Sequence, residues 1–393
     1  MLIQILATLL VLGIAFFQGV QGIFSSLITA VLTVLSAAVA LEFYEPLGAA
    51  LYATQPATAE AISLIALFVV PLLAMRALTD WAVRGNVVLG SDIISVWAGR
   101  VVGGVLGMVT GLILVGVLTI AIQMLPLGPS IMGFKPFDGS LAREQGIAPF
   151  YPDEFVLGMF QKFSVGPLSG RHDYYETHDD VLLEAFCARN TVGWNGRVEA
   201  PPGSIKVAGV ADFDVNTFEP RITRDDHPIL FDPDAPGGKL IRVSVHVDAS
   251  ARDQDGRWRL PGTHFRLVGK KGKSYYPLAG AVTDILDNQG KAIQTIVVLR
   301  RDAKSVPIPR DLLARFTQSA KPLAGKQGRW DRTRLALYAQ SPPARDLASV
   351  ARETGKPDVR PKTLVVDWIY RIDESETPHH MVFRRIARSE VPQ

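Results

Sequence analysis

Charge is nearly absent from the first third of the chain. Between Met1 and Phe134 there is no lysine, and three arginines stand against five acidic residues, a net charge of −2. The whole chain of 393 residues carries +3, so the remainder carries +5. Because a charged side chain is costly in hydrocarbon, this asymmetry predicts a membrane part joined to a water-soluble part.

Four apolar runs in the charge-poor part are each close to the ~20 residues that a helix needs to cross a bilayer. A signal peptide is the alternative for the first run, but no basic n-region follows Met1 and a second apolar run comes almost at once. Glycines in the segment from Gln18 to Gly22 predict a tight turn between the first two helices. The expected fold class is a multi-domain membrane protein with a four-helix transmembrane bundle at residues 1–130, spanning at about 2–17, 23–41, 61–78 and 101–125.

The arginines of this part set the expected orientation. Arg76, Arg84 and Arg100 flank the connection between the third and fourth runs, whereas the loop at residues 42–60 holds no lysine or arginine. The positive-inside rule places the arginine-bearing connection in the cytoplasm. Both termini, and the soluble part with the C-terminus, are then expected outside the cytoplasm.

Glycines recur along the fourth run. A stripe without Cβ atoms lets a neighbouring helix approach closely, and that neighbour is either another span of this chain or a second copy of it. Asp92 precedes this helix, either as an N-cap or as an ion or proton site at membrane depth. The glycines expected to pack are Gly99, Gly103, Gly104, Gly107 and Gly111.

The order of these features resembles the colicin V production protein (CvpA) family. The resemblance rests on the glycine-containing hairpin from Gln18 to Phe24, the third span, and the motif Gly90-Ser91-Asp92 that leads into the glycine helix. It covers residues ~1–130. It implies a multi-pass protein of the bacterial cytoplasmic membrane, linked to toxin production or secretion and to envelope integrity.

The sequence of the soluble part predicts β structure. Residues 240–247 alternate apolar and polar side chains with the period of two that a half-buried strand shows. Similar runs lie at 265–268, 274–278, 293–299, 334–338, 363–372 and 381–386, separated by turn residues. We expect a sandwich-like domain at residues 236–393, preceded by a mixed connector with short helices at 131–235.

A second and weaker resemblance covers this sandwich. The stretch from His264 to Leu278, with the later segments from Val366 to Ile372 and from Met381 to Arg385, is similar to telokin-like, immunoglobulin-type domains of envelope proteins. The resemblance implies a domain that binds partners.

Motifs of catalysis are absent from the sequence. Neither a Gly-x-Ser-x-Gly elbow nor a His-Glu-x-x-His pair occurs. The stretch from Gly272 to Ser274 resembles the end of a phosphate-binding loop, but Leu267 replaces the glycine required five positions earlier. It predicts a hairpin turn instead.

One polar cluster has metal-ligand chemistry. Imidazole and carboxylate groups together bind divalent ions, and the alternative is a solvated loop with an aspartate N-cap. His379 and His380 complete such a site only if the fold brings them there. The candidate ligands are His172, His178, Asp179 and Asp180.

These observations favour a non-catalytic scaffold or accessory protein of the envelope, with no cofactor. Its expected partners are the lipid bilayer, envelope proteins and, if the glycine stripe packs against another molecule, a second copy of the chain. The sequence shows no basic and aromatic array for nucleic acid. Two alternatives stay open: an oligomeric channel or transporter component with Asp92 on its path, and an extracytoplasmic metal-dependent hydrolase.

Overall fold

A computed structural model describes residues 2–83, 96–128, 130–131, 134–139, 141–144, 151–165, 178–190, 197–213, 238–253, 256, 258–286, 292–293, 296–298, 336–340, 363–385 and 387–392. The chain divides into two compact units. The first consists of Met1–Pro136 and Glu144–Tyr175, and the second of Phe137–Arg143 and Glu176–Gln393.

The first unit is helical. Four of its helices are long and apolar enough to cross a membrane, which confirms the predicted four-helix part. The turn predicted between the first two helices is shorter than the five residues expected. The first helix continues to Gln21, and Gly22, with φ 88°, is the single residue that separates it from the second helix. The helices are α1 (Leu2–Gln21), α2 (Ile23–Leu51), α3 (Ala59–Val83), α4 (Val96–Met124) and α5 (Pro152–Val165).

Apolar side chains cover the outside of this unit. α1 packs on α4, and α2 packs on both α3 and α4. The opposite face of α1 leaves large side chains such as Leu9 and Phe16 exposed, as a lipid-facing surface requires. Trp81 in the last turn of α3 and Trp97 in the first turn of α4 are 76% and 77% exposed, in the positions that aromatic belts occupy at a membrane interface.

Arg76 ties α3 to the start of α2. Its guanidinium donates to Thr29 Oγ1 at 2.9 Å and to Ser25 Oγ at 3.1 Å. Its Nε lies 3.3 Å from Asp80 one turn along α3. Arg76 is therefore level with the first turns of α2, so the α1–α2 turn and the end of α3 lie at the same end of the bundle.

Among its described residues, the second unit combines one short α-helix, α6 (Val181–Ala188), with antiparallel strands. This confirms the prediction of a C-terminal β-rich region, while the immunoglobulin-type sandwich stays a prediction. The described strands are β1 (Ile205–Asp212), β2 (Lys239–Asp248), β3 (Trp258–Pro261), β4 (Phe265–Gly269), β5 (Ser274–Tyr275), β6 (Ala279–Leu286), β7 (Ala292–Ile293), β8 (Ile296–Val298), β9 (Ala336–Gln340), β10 (Thr363–Ile372), β11 (Pro378–Phe383) and β12 (Ala387–Glu390).

The strands form three sheets. Their orders are β1-β2-β10-β6-β7, β12-β11-β4-β5 and β3-β9-β8. The run predicted as a single strand at 293–299 is in fact two, because β7 pairs with β6 while β8 pairs with β9 in another sheet. β1 lies within the stretch expected to be a connector and pairs with β2 over its whole length.

β10 is the central strand of the largest sheet. Val366, Trp368 and Tyr370 are fully buried, in the phase that the sequence predicts. Ile369 on the opposite face is also fully buried, so β10 is covered on both faces. The Trp368 ring lies 4.9 Å from that of Phe265 on β4, which brings side chains of two sheets into one core.

Candidate functional site: a glycine-lined helix interface and a buried histidine cluster

The glycine stripe of α4 lies against α1. A Cβ atom at Gly107 would stand 2.8 Å from the Cα of Ala15, and one at Gly111 would stand 3.1 Å from the carbonyl oxygen of Val11. A Cβ at Gly103 would be 3.0 Å from the carbonyl oxygen of Gln18. The two backbones therefore touch where side chains would otherwise keep them apart, which gains dispersion contacts that lipid cannot supply.

The stripe is narrower than the sequence predicts. A Cβ at Gly99 would meet no atom of the described residues within 4 Å, and one at Gly104 would make only an ordinary contact, 3.8 Å from the carbonyl of Ala15. Gly19 on α1 completes the close approach, with a Cβ position 3.5 Å from the Cα of Gly104. The stripe thus packs within the chain, and homo-oligomerisation stays a prediction that must rest on another surface.

Gln18 is a polar residue buried in this seam. Its carbonyl oxygen accepts a hydrogen bond of 2.8 Å from Ser26 Oγ on α2. Its side-chain oxygen lies 3.4 Å from Thr110 Oγ1 on α4, at the long end of hydrogen-bond range. These contacts link α1, α2 and α4 where Gln18 would be costly unpaired.

Gly116, which the sequence pattern does not single out, packs closely against a different helix. A Cβ there would collide with the carbonyl group of Pro152 and would stand 2.5 Å from Val156 Cγ2, both on α5. One further contact fixes α5: Gln123 Nε2 donates to the buried Asp153 Oδ2 at 3.0 Å. Asp92, the predicted ion site or N-cap, lies outside the described residues.

The second unit contains a buried histidine cluster, formed by His178, Glu184, Arg266 and His380. Glu184 on α6 accepts from His178 Nδ1 at 2.7 Å and, through its other oxygen, from Arg266 Nη1 on β4. His178 and Arg266 are both buried. One carboxylate therefore joins the segment before α6 to the four-stranded sheet.

The geometry assigns the tautomer of His380. Its Nδ1 lies 3.2 Å from Arg388 Nη2 and 2.8 Å from His379 Nδ1. Since a guanidinium only donates, His380 Nδ1 accepts, and the proton between the two rings belongs to His379 Nδ1. Burial, and then the positive charges of Arg388 and Arg266, lower the pKa of His380 to about 3, so its ring is neutral at physiological pH.

Two of the predicted metal ligands, His178 and Asp180, have other partners in the structure. The Asp180 carboxylate caps α6, accepting from Leu182 N at 3.1 Å and Leu183 N at 3.0 Å, while Asp179 is exposed. Within the described part of the chain, no three His, Cys, Asp or Glu side chains come together as a metal ion would require. His172 lies outside the described residues, and a metal at 171–180 stays a prediction.

A buried ion network holds the β structure together. Asp253 Oδ2 lies 2.8 Å from Arg259 Nη1, and its Oδ1 lies 3.4 Å from Arg384 Nη2. Arg384, which is almost fully buried, also donates to the carbonyls of Arg259 at 2.8 Å and Ala251 at 3.0 Å. These contacts hold Arg384 at φ 46°, a strained value for a residue with a side chain.

Acidification is expected to destabilise the second unit. Burial holds the pKa of His380 near 3 and that of His264 well below 6.5. Below pH 6.5 the unfolded chain protonates both rings and the folded chain does not, so the free energy of unfolding falls by ~1.4 kcal/mol per pH unit for each histidine. Urea unfolding of the full chain in detergent, followed at several pH values from about 7 to 5, measures this slope.

His380→Gln is the matched variant for that measurement. It removes one of the two rings that stay neutral in the fold. The pH dependence of the free energy of unfolding should then correspond to about one proton fewer taken up on unfolding. A slope that is unchanged in His380→Gln, or a stability that rises on acidification, contradicts the assignment of His380 as a neutral buried ring.

Comparison with known proteins adds one match. Residues 4–135 match the family model described as colicin V production protein, which is about a third of the chain. This confirms the resemblance for the membrane part. Neither a curated protein nor a solved structure matches the chain.

Proposed function

We propose that the protein is a membrane-anchored, non-catalytic accessory or scaffold protein of the bacterial envelope. It acts in toxin production or secretion or in envelope maintenance, and its second unit is an extracytoplasmic domain that binds a partner protein. The observation that carries this proposal is the joining, in one chain, of a four-helix membrane part that matches the colicin V production model to a β-rich unit.

The pairing of charged groups supports the non-catalytic part of the proposal. Glu184 bridges His178 and Arg266, and Asp253 bridges Arg259 and Arg384. Groups that are buried in such pairs hold elements together and are not presented to a substrate.

The orientation rests on the arginines of the first unit. Arg76 lies at the end of the bundle that holds the α1–α2 turn, and Arg100 lies in the first turns of α4. With that end in the cytoplasm, α4 ends at Met124 on the outer side, and the chain continues into the second unit there.

The topology predicts opposite results for two reporter fusions. A reporter that fluoresces only in the cytoplasm should be dark when fused after Gln393 and bright when inserted in the connection between α3 and α4. An enzyme reporter that is active only outside the cytoplasm should give the reverse pattern. Fluorescence of the fusion after Gln393 would invert the orientation and remove the extracytoplasmic domain from the proposal.

Partner binding is tested by photo-crosslinking in cells. A crosslinking amino acid placed at exposed positions of the second unit, such as Lys239 or Arg242, should capture a discrete protein. The same amino acid at the lipid-facing Leu9 of α1 is the control and should not capture that protein. Absence of any captured protein from the whole surface of the second unit would overturn the scaffold function.

A further inference from the structure

α5 belongs to the membrane unit but lies outside the segment that matches the colicin V production model. That segment ends at residue 135, whereas α5 begins at Pro152. α5 packs on α4 and touches α2, and the stretch Glu144–Tyr175 is part of the first unit. The family match therefore says nothing about the role of α5.

The length of α4 shows where it leaves the bilayer. Trp97, in its first turn, is exposed at one membrane interface. Crossing ~30 Å of hydrocarbon at ~1.5 Å per residue takes ~20 residues, and up to ~25 in a tilted helix. The opposite edge of the hydrocarbon then falls between Val117 and Ile122, and α4 continues past it to Met124.

The start of α5 lies at this edge. The carbonyl of Pro152 and the side chain of Val156 pack against Gly116, which is just inside the hydrocarbon. Asp153 accepts the 3.0 Å hydrogen bond from Gln123, which is just beyond the hydrocarbon. Contacts on both sides of the edge place the first turn of α5 at the membrane surface where α4 ends.

One side of α5 is buried in the first unit. Asp153, Val156 and Phe160 follow one another at intervals of three and four residues, so they share a face of the helix. All three are buried, Val156 completely. This face fixes how α5 is rotated about its own axis.

An apolar strip runs along a neighbouring side of α5. Its four side chains recur every fourth residue, beginning with the residue just before the helix, so each lies one turn beyond the last. Two of them are exposed, Tyr151 by 47% and Phe155 by 37%, and the other two are half-buried. The apolar strip consists of Tyr151, Phe155, Met159 and Phe163.

Polar side chains occupy the other flank of α5. Glu154 and Gln161 lie there, two turns apart. A buried face with an apolar flank and a polar flank is the pattern of a helix that lies in the plane of a membrane interface. A helix that descended beside α4 would instead expose Lys162 to hydrocarbon, and one that rose into water would carry Met159 and Phe163 out of the bilayer.

We propose that α5 lies in the lipid–water interface, parallel to the membrane surface, on the side where α4 ends. Its apolar strip inserts into the boundary between headgroups and acyl chains, and its polar flank faces water. The stem of Lys162 lets the ammonium group reach the headgroups. This inference goes beyond the proposed function, and it holds for either orientation of the chain, because it refers only to the end of α4.

Spin labels on the full chain in lipid nanodiscs test this placement. Cys187→Ala is the parent of every labelled variant, so each carries one thiol. A label at Phe155→Cys should collide more often with oxygen, which concentrates in the bilayer, than with a water-soluble nickel chelate. A label at Gln161→Cys should show the reverse. Leu9→Cys on the lipid-facing side of α1 and Lys239→Cys on the second unit are the controls for bilayer and for water.

A second position on the apolar strip tests whether α5 lies flat. Phe155 and Phe163 are eight residues apart, which is ~12 Å along a helix. Labels at Phe155→Cys and Phe163→Cys should report nearly equal depths if α5 is parallel to the surface, and depths that differ by ~12 Å if it stands upright. Each variant should unfold at the temperature of its parent, and Tyr151→Cys replaces Phe155→Cys if that variant does not.

Three results would overturn the proposal. A label on the apolar strip that meets the nickel chelate as often as the label at Lys239→Cys would place the strip in water. A label that is shielded from both oxygen and the chelate would mean that protein, and not lipid, covers the strip. Depths at the two ends of the strip that differ by ~12 Å would show that α5 does not lie in the interface.

Discussion

Replacing Gly107 with isoleucine is expected to separate α1 from α4 and to lower the amount of protein in the membrane. The new Cβ would stand 2.8 Å from the Cα of Ala15 and 2.9 Å from the Cβ of Gln18. Since one of these atoms belongs to backbone, a rotamer change cannot relieve the overlap. Overpacking of this kind costs ~1–3 kcal/mol or more, and the midpoint of thermal unfolding in detergent should fall accordingly.

Gly99→Ile is the matched control for that variant. It makes the same change in the same helix, but a Cβ at Gly99 meets no atom within 4 Å in the part of the chain that the structure describes. Its unfolding temperature and membrane abundance should stay near those of the parent. If Gly107→Ile and Gly99→Ile behave alike, the stripe does not hold α1 and the packing argument is wrong.

Replacing Trp368 with alanine is expected to unfold the second unit. Trp368 is fully buried in the middle of β10 and contacts Phe265 across the core. Truncating a large buried aromatic side chain costs ~3–5 kcal/mol, a large part of the ~5–15 kcal/mol that stabilises a typical domain. Loss of near-ultraviolet circular dichroism and rapid cleavage by trypsin after the membrane part would report this unfolding.

Trp368→Phe separates packing from hydrogen bonding. The indole Nε1 is buried without a hydrogen-bond partner among the described residues, so phenylalanine gives up ring volume but no hydrogen bond. We expect this variant to stay folded with a smaller loss of stability. Equal damage in Trp368→Phe and Trp368→Ala would mean that something other than the filled core volume decides stability at this position.

The parts of the fold that the sequence predicts are those with the simplest patterning. Long uncharged runs admit one interpretation, and all four spans were found. β10 matches its predicted limits of 363–372, because seven of its ten residues are β-branched or aromatic. β12, by contrast, reads Ala-Arg-Ser-Glu and becomes a strand only through its pairing with β11. No local pattern encodes that pairing.

The candidate site shows the same limit. The four-residue glycine spacing predicts a close helix approach, but it does not say where that approach ends. Gly99 shares the spacing but approaches no other described residue within 4 Å, whereas Gly116 falls outside the spacing and packs against α5. The histidine cluster depends on residues far apart in the chain, since Glu184 on α6 meets Arg266 on β4. Only the fold brings such residues together.

The same long-range contacts change where the second unit should be cut. A fragment from about Pro201 to Gln393 would include every described strand of the second unit. That fragment would lose the Arg197 amide that donates to Asp253 at 3.2 Å and the Glu199 carbonyl near Arg384. It would also lose Ala200 from the core and α6 from the histidine cluster. A fragment that starts before α6 is the better design.

The position of β10 has a consequence for how the protein is made. β2 and β6 leave the ribosome long before β10, yet each has β10 as its neighbour. The largest sheet therefore remains divided, with two open edges, until synthesis has passed Ile372. A message that stops before Thr363 would yield an anchored chain with both edges exposed. Completion of synthesis, more than any local signal, decides when this domain becomes safe from aggregation.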